Sequence, residues 1–473
     1  MDEKIVIIGG GPGGYAAAIR AAQLGGKVIL IEKSKIGGTC LNEGCIPTKA
    51  LYRSAEIINN IRNSDNFGVS VSEFKVNMDQ IQNRKNQIVM ELSKGISQLL
   101  KANKIEVING SAAFVNNNTL MITEENGHEY ELKCKDIIIA AGSQSSILKI
   151  DGNAQGEILT SEDILKLDTI PKSLAIVGGG VIGMEFAGIF NSLGTKVTVI
   201  EFLPDILNNL DSDIKKRYTV LAKKQGIDIY TNAKVSRIDK SENQYFIEAE
   251  GFKGKINITC EKVLMATGRK PQIANLGLEN TDIEYGNKGI AVDGNYMTNV
   301  KNIFAIGDVN GISMLAHSAS YQGEVVAAYL LDGRKEEKKP LVPSCVYVFP
   351  EIASVGMTED EAKIKSISYS TSKFMFGANG KALTLGETQG FIKLIAMNHP
   401  GSIKGEQTII GAHIMGPHAS DLIHECAVVI DKQIKIDDIK DIIHAHPTLS
   451  EVFIEAINAL IDKAIHIAPP RKK

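Results

Sequence analysis

No apolar stretch in the 473-residue sequence reaches the ~18 residues that a membrane-spanning helix needs. A recognisable leader is missing too, because Ile5-Val6-Ile7-Ile8 is short and runs straight into glycines. There is little excess charge of either sign: 52 basic against 55 acidic residues leave a net charge of -3. That balance gives no electrostatic footprint for nucleic acid or an anionic membrane as partner. The local basic clusters, residues 334–339 and the tail Arg471-Lys472-Lys473, read as solvated surface. Cysteine is sparse and scattered, with six in the chain and only Cys40 and Cys45 close together. This excludes a secreted disulfide scaffold and makes a reducing, cytoplasmic setting the expectation. There, a close cysteine pair points to redox catalysis or metal binding.

What is present is an ordinary globular composition, 44% hydrophobic and 23% charged, in a chain long enough for about three domains. Two regions share one design. Residues 5–8 form a β-branched run, followed by Gly9-Gly10-Gly11-Pro12-Gly13-Gly14, an Ala-rich helical stretch over 15–24, and a second apolar run, 28–31, ending at Glu32. Residues 174–177 repeat the first run, Gly178-Gly179-Gly180-Val181-Ile182-Gly183 the glycines, 184–193 the helix, and 197–200 the second run, ending at Glu201. In each copy the acid falls 18 residues after the last fingerprint glycine. One glycine motif is weak, but strand, glycine turn, helix, strand and acid together describe a dinucleotide-binding unit. The glycines make the turn and admit a pyrophosphate to the helix N-terminus, and the acid accepts hydrogen bonds from ribose hydroxyls. A smaller repeat, residues 136–143 against 262–269, pairs two apolar runs ending in small residues. The sequence thus predicts an α/β chain with two Rossmann-like folds, the second inserted within the span of the first. Glu201 repels a 2′-phosphate and no arginine occurs in Glu201-Phe202-Leu203-Pro204-Asp205, which favours NAD over NADP.

The segment Gly37-Gly38-Thr39-Cys40-Leu41-Asn42-Glu43-Gly44-Cys45-Ile46-Pro47-Thr48-Lys49 holds the close cysteines. In a regular helix, residues five apart lie ~7.5 Å apart along the axis and off-face, so an irregular stretch is needed for the sulfurs to meet. Pro47 suits the first turn of a following helix, which would place Cys45 near a positive helix end with Lys49 one turn on. Half a metal site and a pair of buried bystanders are the other readings. No second Cys/His pair with ligand spacing is apparent, and no metal is expected. A dithiol exchanges two electrons and a nicotinamide exchanges a hydride, and a flavin mediates naturally between them. A flavin-bound NADH-binding protein without disulfide turnover is the non-enzymatic alternative.

These residues closely resemble the active-site stretch of the class I pyridine nucleotide-disulfide oxidoreductases, and the likeness runs from residue 5 nearly to the C-terminus. Phe304-Ala305-Ile306-Gly307-Asp308 looks like the family's second FAD-binding motif. The resemblance implies that Gly9, Gly11, Gly14, Glu32, Lys49, Gly110, Ala141, Gly142, Ser143, Asp308 and Ala316 serve FAD. It implies that Gly178, Gly180, Gly183, Glu201 and Gly268 serve NAD, and that Lys49 and Glu185 form an ion pair beside the flavin ring. Ala141 is a departure, since the family often has threonine there. The implied layout is an FAD-binding domain over 1–145, an NAD-binding domain over 146–272, a return to the first domain over 273–342, and an α+β dimerisation domain over 343–473.

A second constellation is His444-Ala445-His446-Pro447-Thr448-Leu449-Ser450-Glu451. Pro447 suits a helix start, placing His446 at its mouth with Glu451 just over a turn away. A dithiol must lose a proton before it attacks a disulfide, and histidine is the usual base near neutral pH. By resemblance His446, rather than His444, is this base, Glu451 orients it, and the pair completes the site of the other subunit of a homodimer. Cys40 is then the interchange thiol and Cys45 the one facing the flavin. The implied reaction oxidises a dihydrolipoyl group with NAD+. The group would be borne by lipoyl proteins of a 2-oxo acid dehydrogenase or glycine cleavage complex, because no lipoyl segment precedes residue 5. Another disulfide reductase of the family, acting on a small disulfide, is the alternative.

Overall fold

The structure is a computed structural model that describes residues 4–154, 156–252, 254–336, 338–399, 401 and 404–468. The tail Arg471-Lys472-Lys473 and part of the 334–339 cluster lie outside the described residues. The first repeat builds a seven-stranded sheet in the order Ile303–Ala305, Asp136–Ile139, Lys4–Ile8, Lys27–Glu32, Glu106–Asn116, Thr119–Glu124 and Glu129–Lys133. The first five strands run parallel and the last two fold back antiparallel. Ile5, Ile7, Leu30 and Ile138 are buried on one face and Val6, Ile29, Ile31 and Ile137 on the other. Strands covered on both faces explain the unbroken apolar runs.

The second repeat builds a four-stranded parallel sheet, Asp228–Tyr230, Lys196–Ile200, Ser173–Val177 and Lys262–Met265. The smaller sequence repeat now has a structural meaning. Ile5 pairs with Asp136 in the first sheet as Leu174 pairs with Lys262 in the second, so each fingerprint strand is flanked by an equivalent neighbour. The insertion is visible as well: the chain leaves the first sheet after residue 139, completes the second, and returns with Ile303–Ala305. The helix that follows, Ala316–Asp332, packs on the first fingerprint helix, Pro12–Gln23, so closely that a Cβ at Gly323 would meet the Gly13 carbonyl.

The C-terminal region is a five-stranded antiparallel sheet, Ser344–Val346, Ile352–Gly356, Thr408–Met415, Phe391–Met397 and Tyr369–Met375, with helices Ala419–Asp431 and Glu451–Leu460 against it. The apolar run 345–349 is strand only as far as Val346, because Phe349-Pro350 closes the stretch with a residue that cannot donate to a ladder. Among the described residues no helix is long and apolar enough to cross a membrane.

Candidate active site

The two glycine turns are built alike down to single contacts. A Cβ at Gly9 would overlap the Ala140 carbonyl, and one at Gly178 the Ala266 carbonyl; Gly14 and Gly183 press on the carbonyls of Gly9 and Gly178 in the same way. These four glycines are demanded by the protein's own packing. Gly11 and Gly180 are not. Their φ values, -71° and -73°, suit any residue. A Cβ on Gly11 would find only Gly38 Cα at 3.9 Å, and one on Gly180 nothing within 4 Å. Each sits as N-cap of its fingerprint helix with open space in front of the backbone, the place where a phosphate approaches a helix N-terminus. Both turns therefore fit a dinucleotide.

Glu32 and Glu201 end their strands and face back to the glycines. Glu32 accepts hydrogen bonds from the backbone N–H of Gly10 (2.6 Å) and Ser34 (2.7 Å), and Glu201 from Gly179 (2.5 Å) and Leu203 (2.7 Å). The carboxylates are thus fixed by the turn itself, with lone pairs remaining for ribose hydroxyls. Beyond Glu201, Asp205 pairs with Lys215 at 3.2 Å.

The cysteine segment is two helices with a break between them. Gly38–Glu43 carries Cys40, Gly44 breaks the path with φ -145° and ψ -107°, and Cys45 opens the long helix Cys45–Arg62. Cys45 is therefore the first residue of a helix, Pro47 lies in its first turn and Lys49 one turn on, as the sequence suggested. No disulfide joins Cys40 and Cys45 in this structure. The two sulfurs are driven apart in acidity. The Cys45 thiol is lowered to about 7, first by the hydrogen bond it accepts from Cys40, with burial opposing and Lys49 assisting. That same hydrogen bond, with burial, pushes Cys40 up. The arrangement favours Cys45 over Cys40 as the thiolate of the pair.

This segment joins the two nucleotide folds. At one end the Gly37 N–H donates to the Gly10 carbonyl (2.9 Å) and Gly38, at φ +58°, lies against Gly11 with no room for a Cβ. At the other end Lys49 Nζ bonds both carboxylate oxygens of Glu185 (3.0 and 2.8 Å) on the second fingerprint helix, Val181–Leu193. The expected Lys49–Glu185 ion pair is thus present. Sequence reasoning missed its third partner. Tyr347 donates its backbone N–H to Glu185 Oε1 (3.0 Å), and its ring lies 4.6 Å from Lys49 Nζ. Tyr52, one turn beyond Lys49, stacks on Phe349 (centroids 4.6 Å apart) and donates its hydroxyl to the Val348 carbonyl (3.1 Å). Only the Tyr-x-Phe alternation after residue 346 could have hinted at this.

The remaining predicted flavin residues gather near the ends of the first sheet. Ser143 Oγ donates to Asp308 Oδ2 (2.5 Å), Arg269 donates to Ser143 Oγ (2.8 Å), and Arg269 pairs with Glu162 (2.9 Å). Burial raises the Asp308 carboxyl, with the Ser143 hydrogen bond opposing. Ala141 and Gly142 connect Asp136–Ile139 to Ser143–Ser145, Gly110 lies within Glu106–Asn116 where a Cβ would meet the Thr123 carbonyl, and Ala316 opens the helix that packs on Pro12–Gln23. Gly268, at φ +103°, leads from Lys262–Met265 into Arg269–Pro271.

The histidine loop needs a correction. No helix starts at Pro447; the helix begins at Glu451, after Ser450, and His446 lies in the preceding loop. The predicted pairing nevertheless forms from there: His446 Nδ1 is 2.9 Å from Glu451 Oε1, while the Thr448 N–H donates to Oε2 (2.8 Å). Against the burial that would raise it, these contacts hold the Glu451 carboxyl below its usual range. His446 is 76% exposed and bonds neither cysteine of its own chain. His444 is engaged differently, buried between the Ile442 carbonyl (3.1 Å) and Glu425 (2.9 Å). Among the described residues, no group of three or more His, Cys, Asp or Glu side chains is placed to hold a metal ion.

Residues 3–323 match the pyridine nucleotide-disulphide oxidoreductase family, and residues 342–457 match that family's dimerisation domain. The chain belongs to the pyridine nucleotide-disulphide oxidoreductases. As a member it is an oxidoreductase that uses FAD and NAD. It is 41% identical to a dihydrolipoyl dehydrogenase of Bacillus subtilis, covering 98% of this chain and 99% of that protein. It is 40% identical to one from Chlamydia trachomatis, over 99% and 98%. Among solved structures of this oxidoreductase family, the HOCl-induced flavoprotein disulfide reductase RclA of Escherichia coli superposes with a TM-score of 0.85 at 30% identity, over 96% of this chain and 99% of RclA. LpdA of Mycobacterium tuberculosis superposes with a TM-score of 0.88 at 26% identity, over 97% and 99%.

Proposed function

We propose that the protein is a dihydrolipoyl dehydrogenase, oxidising a protein-bound dihydrolipoyl group with NAD+ through Cys40 and Cys45. The observation that carries this reading is the bridging segment: one dithiol is tied to the first glycine turn through Gly37 and Gly38 and to the second fold through Lys49 and Glu185. The 37–41% identity to dihydrolipoyl dehydrogenases supports the substrate.

His446 takes a proton from one substrate thiol, and Glu451 accepts the hydrogen bond from Nδ1 that keeps Nε2 free to do so. The substrate thiolate attacks Cys40 in the oxidised pair; a Cys40–substrate bond forms as the Cys40–Cys45 bond breaks. The second substrate sulfur displaces Cys40 as its proton passes to the departing Cys40 sulfur, releasing the cyclic disulfide and leaving a Cys40 thiol, a Cys45 thiolate and a protonated His446. Bound at the first glycine turn, FAD would supply the two-electron relay between the dithiol and NAD+. Gly9, Gly11, Gly14, Glu32, Ser143, Asp308 and Ala316 hold the flavin nucleotide, and Gly178, Gly180, Gly183, Glu201 and Gly268 the nicotinamide one. Lys49 and Glu185 fix the relation of the two folds where the chemistry takes place. The active form is a homodimer, supported by the dimerisation-domain match over 342–457 and by a His446–Glu451 pair that faces outward from its own chain. The lipoyl groups come from lipoyl-bearing proteins of a 2-oxo acid dehydrogenase or glycine cleavage complex in the cytoplasm.

Steady-state rates decide the substrate. Free dihydrolipoamide with NAD+ is expected to turn over at least a hundredfold faster than glutathione disulfide with NADPH. The reverse order would move the protein to another branch of the family.

A further inference from the structure

Among the described residues, the second nucleotide fold shares no apolar core cluster with the first fold's sheet, although the two are joined by the short paired strands Ser143–Ser145 and Arg269–Pro271. Its core continues elsewhere. Leu174, Ile176, Phe186, Phe190, Tyr218 and Leu264 form one cluster with Leu51 and Tyr52 of the dithiol helix and with Val346, Val348, Ile352, Phe391 and Met415 of the C-terminal sheet. At the edge of this cluster lies a buried charged group. Lys393, in strand Phe391–Met397 beside the sheet's middle strand, has a side chain that is 0% exposed. Its ammonium contacts Asp211 Oδ1 and Oδ2 (2.9 and 3.1 Å), Asp213 Oδ2 (2.5 Å) and Glu359 Oε2 (2.6 Å).

Asp211 is the N-cap of helix Ser212–Lys224 in the second fold and Asp213 lies in its first turn, whereas Glu359 opens the C-terminal helix Glu359–Ile364. The Glu359 N–H also donates to Asp211 Oδ2 (3.1 Å). The outer carboxylates are each matched again, Asp213 by Lys373 (2.8 Å) and Glu359 by Lys363 (2.9 Å), so three anions meet three cations. His413 faces Lys393 across the ladder, held by Ser354 and the Met357 carbonyl. A lysine with no exposed surface is held only by matched, hydrogen-bonded anions. Here those anions come from both sides of the boundary. Two further hydrogen bonds extend the seam, Arg217 to Gln389 (3.1 Å) and Gln225 to the Phe349 carbonyl (2.8 Å).

We infer that Lys393 is a positioning residue for nicotinamide chemistry: it fastens the NAD-binding fold to the C-terminal domain, so that this domain, together with the Lys49–Glu185 pair, sets where the nicotinamide meets the flavin. The inference rests on the proposed reading of the two folds. It separates the two half-reactions. Dithiol oxidation is carried by the segment anchored on the first glycine turn and is indifferent to the clamp. Hydride exchange with the nicotinamide depends on it.

The test compares Lys393→Met with the parent holoenzyme. Stopped-flow reduction of the flavin by NADH is expected to slow at least tenfold, while reduction by dihydrolipoamide stays within twofold. Hydrogen exchange is expected to rise in Ser212–Lys224 and Phe391–Met397 and to stay unchanged in Pro12–Gln23. Equal loss in both half-reactions, or none in either, overturns the inference. Should Lys393→Met yield no folded enzyme, Asp213→Asn removes one of the four contacts at a part-exposed site. It must show the same one-sided pattern at smaller amplitude, and a symmetric or absent effect overturns the inference equally. Failure of the parent enzyme to react with dihydrolipoamide would instead strike the proposed substrate, while the NADH arm and the exchange data still report on the clamp.

Discussion

Removing the Cys40 thiol should switch off the readiness of Cys45, and replacing it with a hydroxyl should not. Cys45 is lowered from 9.0 to about 7, and the first cause is the hydrogen bond from Cys40. Two pK units correspond to about 2.7 kcal/mol of thiolate stabilisation. That figure is an upper bound, since Cys45 is solvent-exposed and water screens part of the Lys49 attraction. The sign follows from a depressed acid: the thiolate persists from alkaline pH down to about 7 instead of being lost near 9. At neutral pH about half of Cys45 is thiolate, against roughly 1% for an unperturbed thiol. In Cys40→Ala, Lys49 and a backbone hydrogen bond remain to oppose burial and Glu185, but the largest lowering influence is gone, so the midpoint should rise by at least about one unit, slowing alkylation at pH 7 about tenfold. In Cys40→Ser the hydroxyl still donates, and the midpoint should stay within about half a unit of the parent. The assay is the rate of iodoacetamide labelling of the reduced protein against pH, read at the Cys45 peptide by mass. Equal midpoints in the alanine and serine variants would refute the hydrogen-bond account.

The glycine turns predict a contrast between two similar changes. Gly178→Ala puts a side chain at φ +110° against the Ala266 carbonyl and should cost on the order of 2–4 kcal/mol, seen as a lower Tm. Gly180→Ala meets nothing in the protein, so Tm should hold within about a degree while NAD+ affinity by calorimetry falls at least about tenfold, because the methyl fills the phosphate approach. Loss of the proton acceptor in His446→Gln should lower turnover of dihydrolipoamide by about 10²–10⁴ and leave flavin reduction by NADH intact. Lys49→Met strands the Glu185 carboxylate, which is 6% exposed, and should destabilise by somewhat less than the ~3–5 kcal/mol of a fully buried pair; Glu185→Leu added to it should restore most of the lost Tm.

Features encoded by contiguous residues were legible in the sequence. The two glycine turns, their strands and the terminal acids Glu32 and Glu201 appear where the repeat places them, because a tight turn and a close helix leave few residue choices. The start of the dithiol helix was legible for a similar reason: Pro47 tolerates the first turn and Gly44 the break. Pro47 and Pro447 show the limit of that rule. Both sit near a histidine or cysteine of interest, yet the second precedes a loop, since Glu451 is held by the Thr448 N–H and opens the helix four residues later. Contacts across long sequence separations were not legible. Tyr347 and Phe349 join the site through pairing of residues ~160–300 apart, for which no local pattern exists. No local pattern marks Lys393 as buried; its register opposite His413 and its bond to the helix cap Asp211 appear only in the fold.

The central claim is that a substrate dithiol delivers electrons to Cys40 and Cys45 and from there, through the flavin, to NAD+. Rapid mixing of oxidised holoenzyme with dihydrolipoamide without air tests it most directly. The long-wavelength band of a Cys45 thiolate beside oxidised flavin should appear first, NADH should follow on adding NAD+, and both should vanish in Cys45→Ser. NADH formation that survives in Cys45→Ser, or an enzyme that yields neither band nor NADH, would contradict the account.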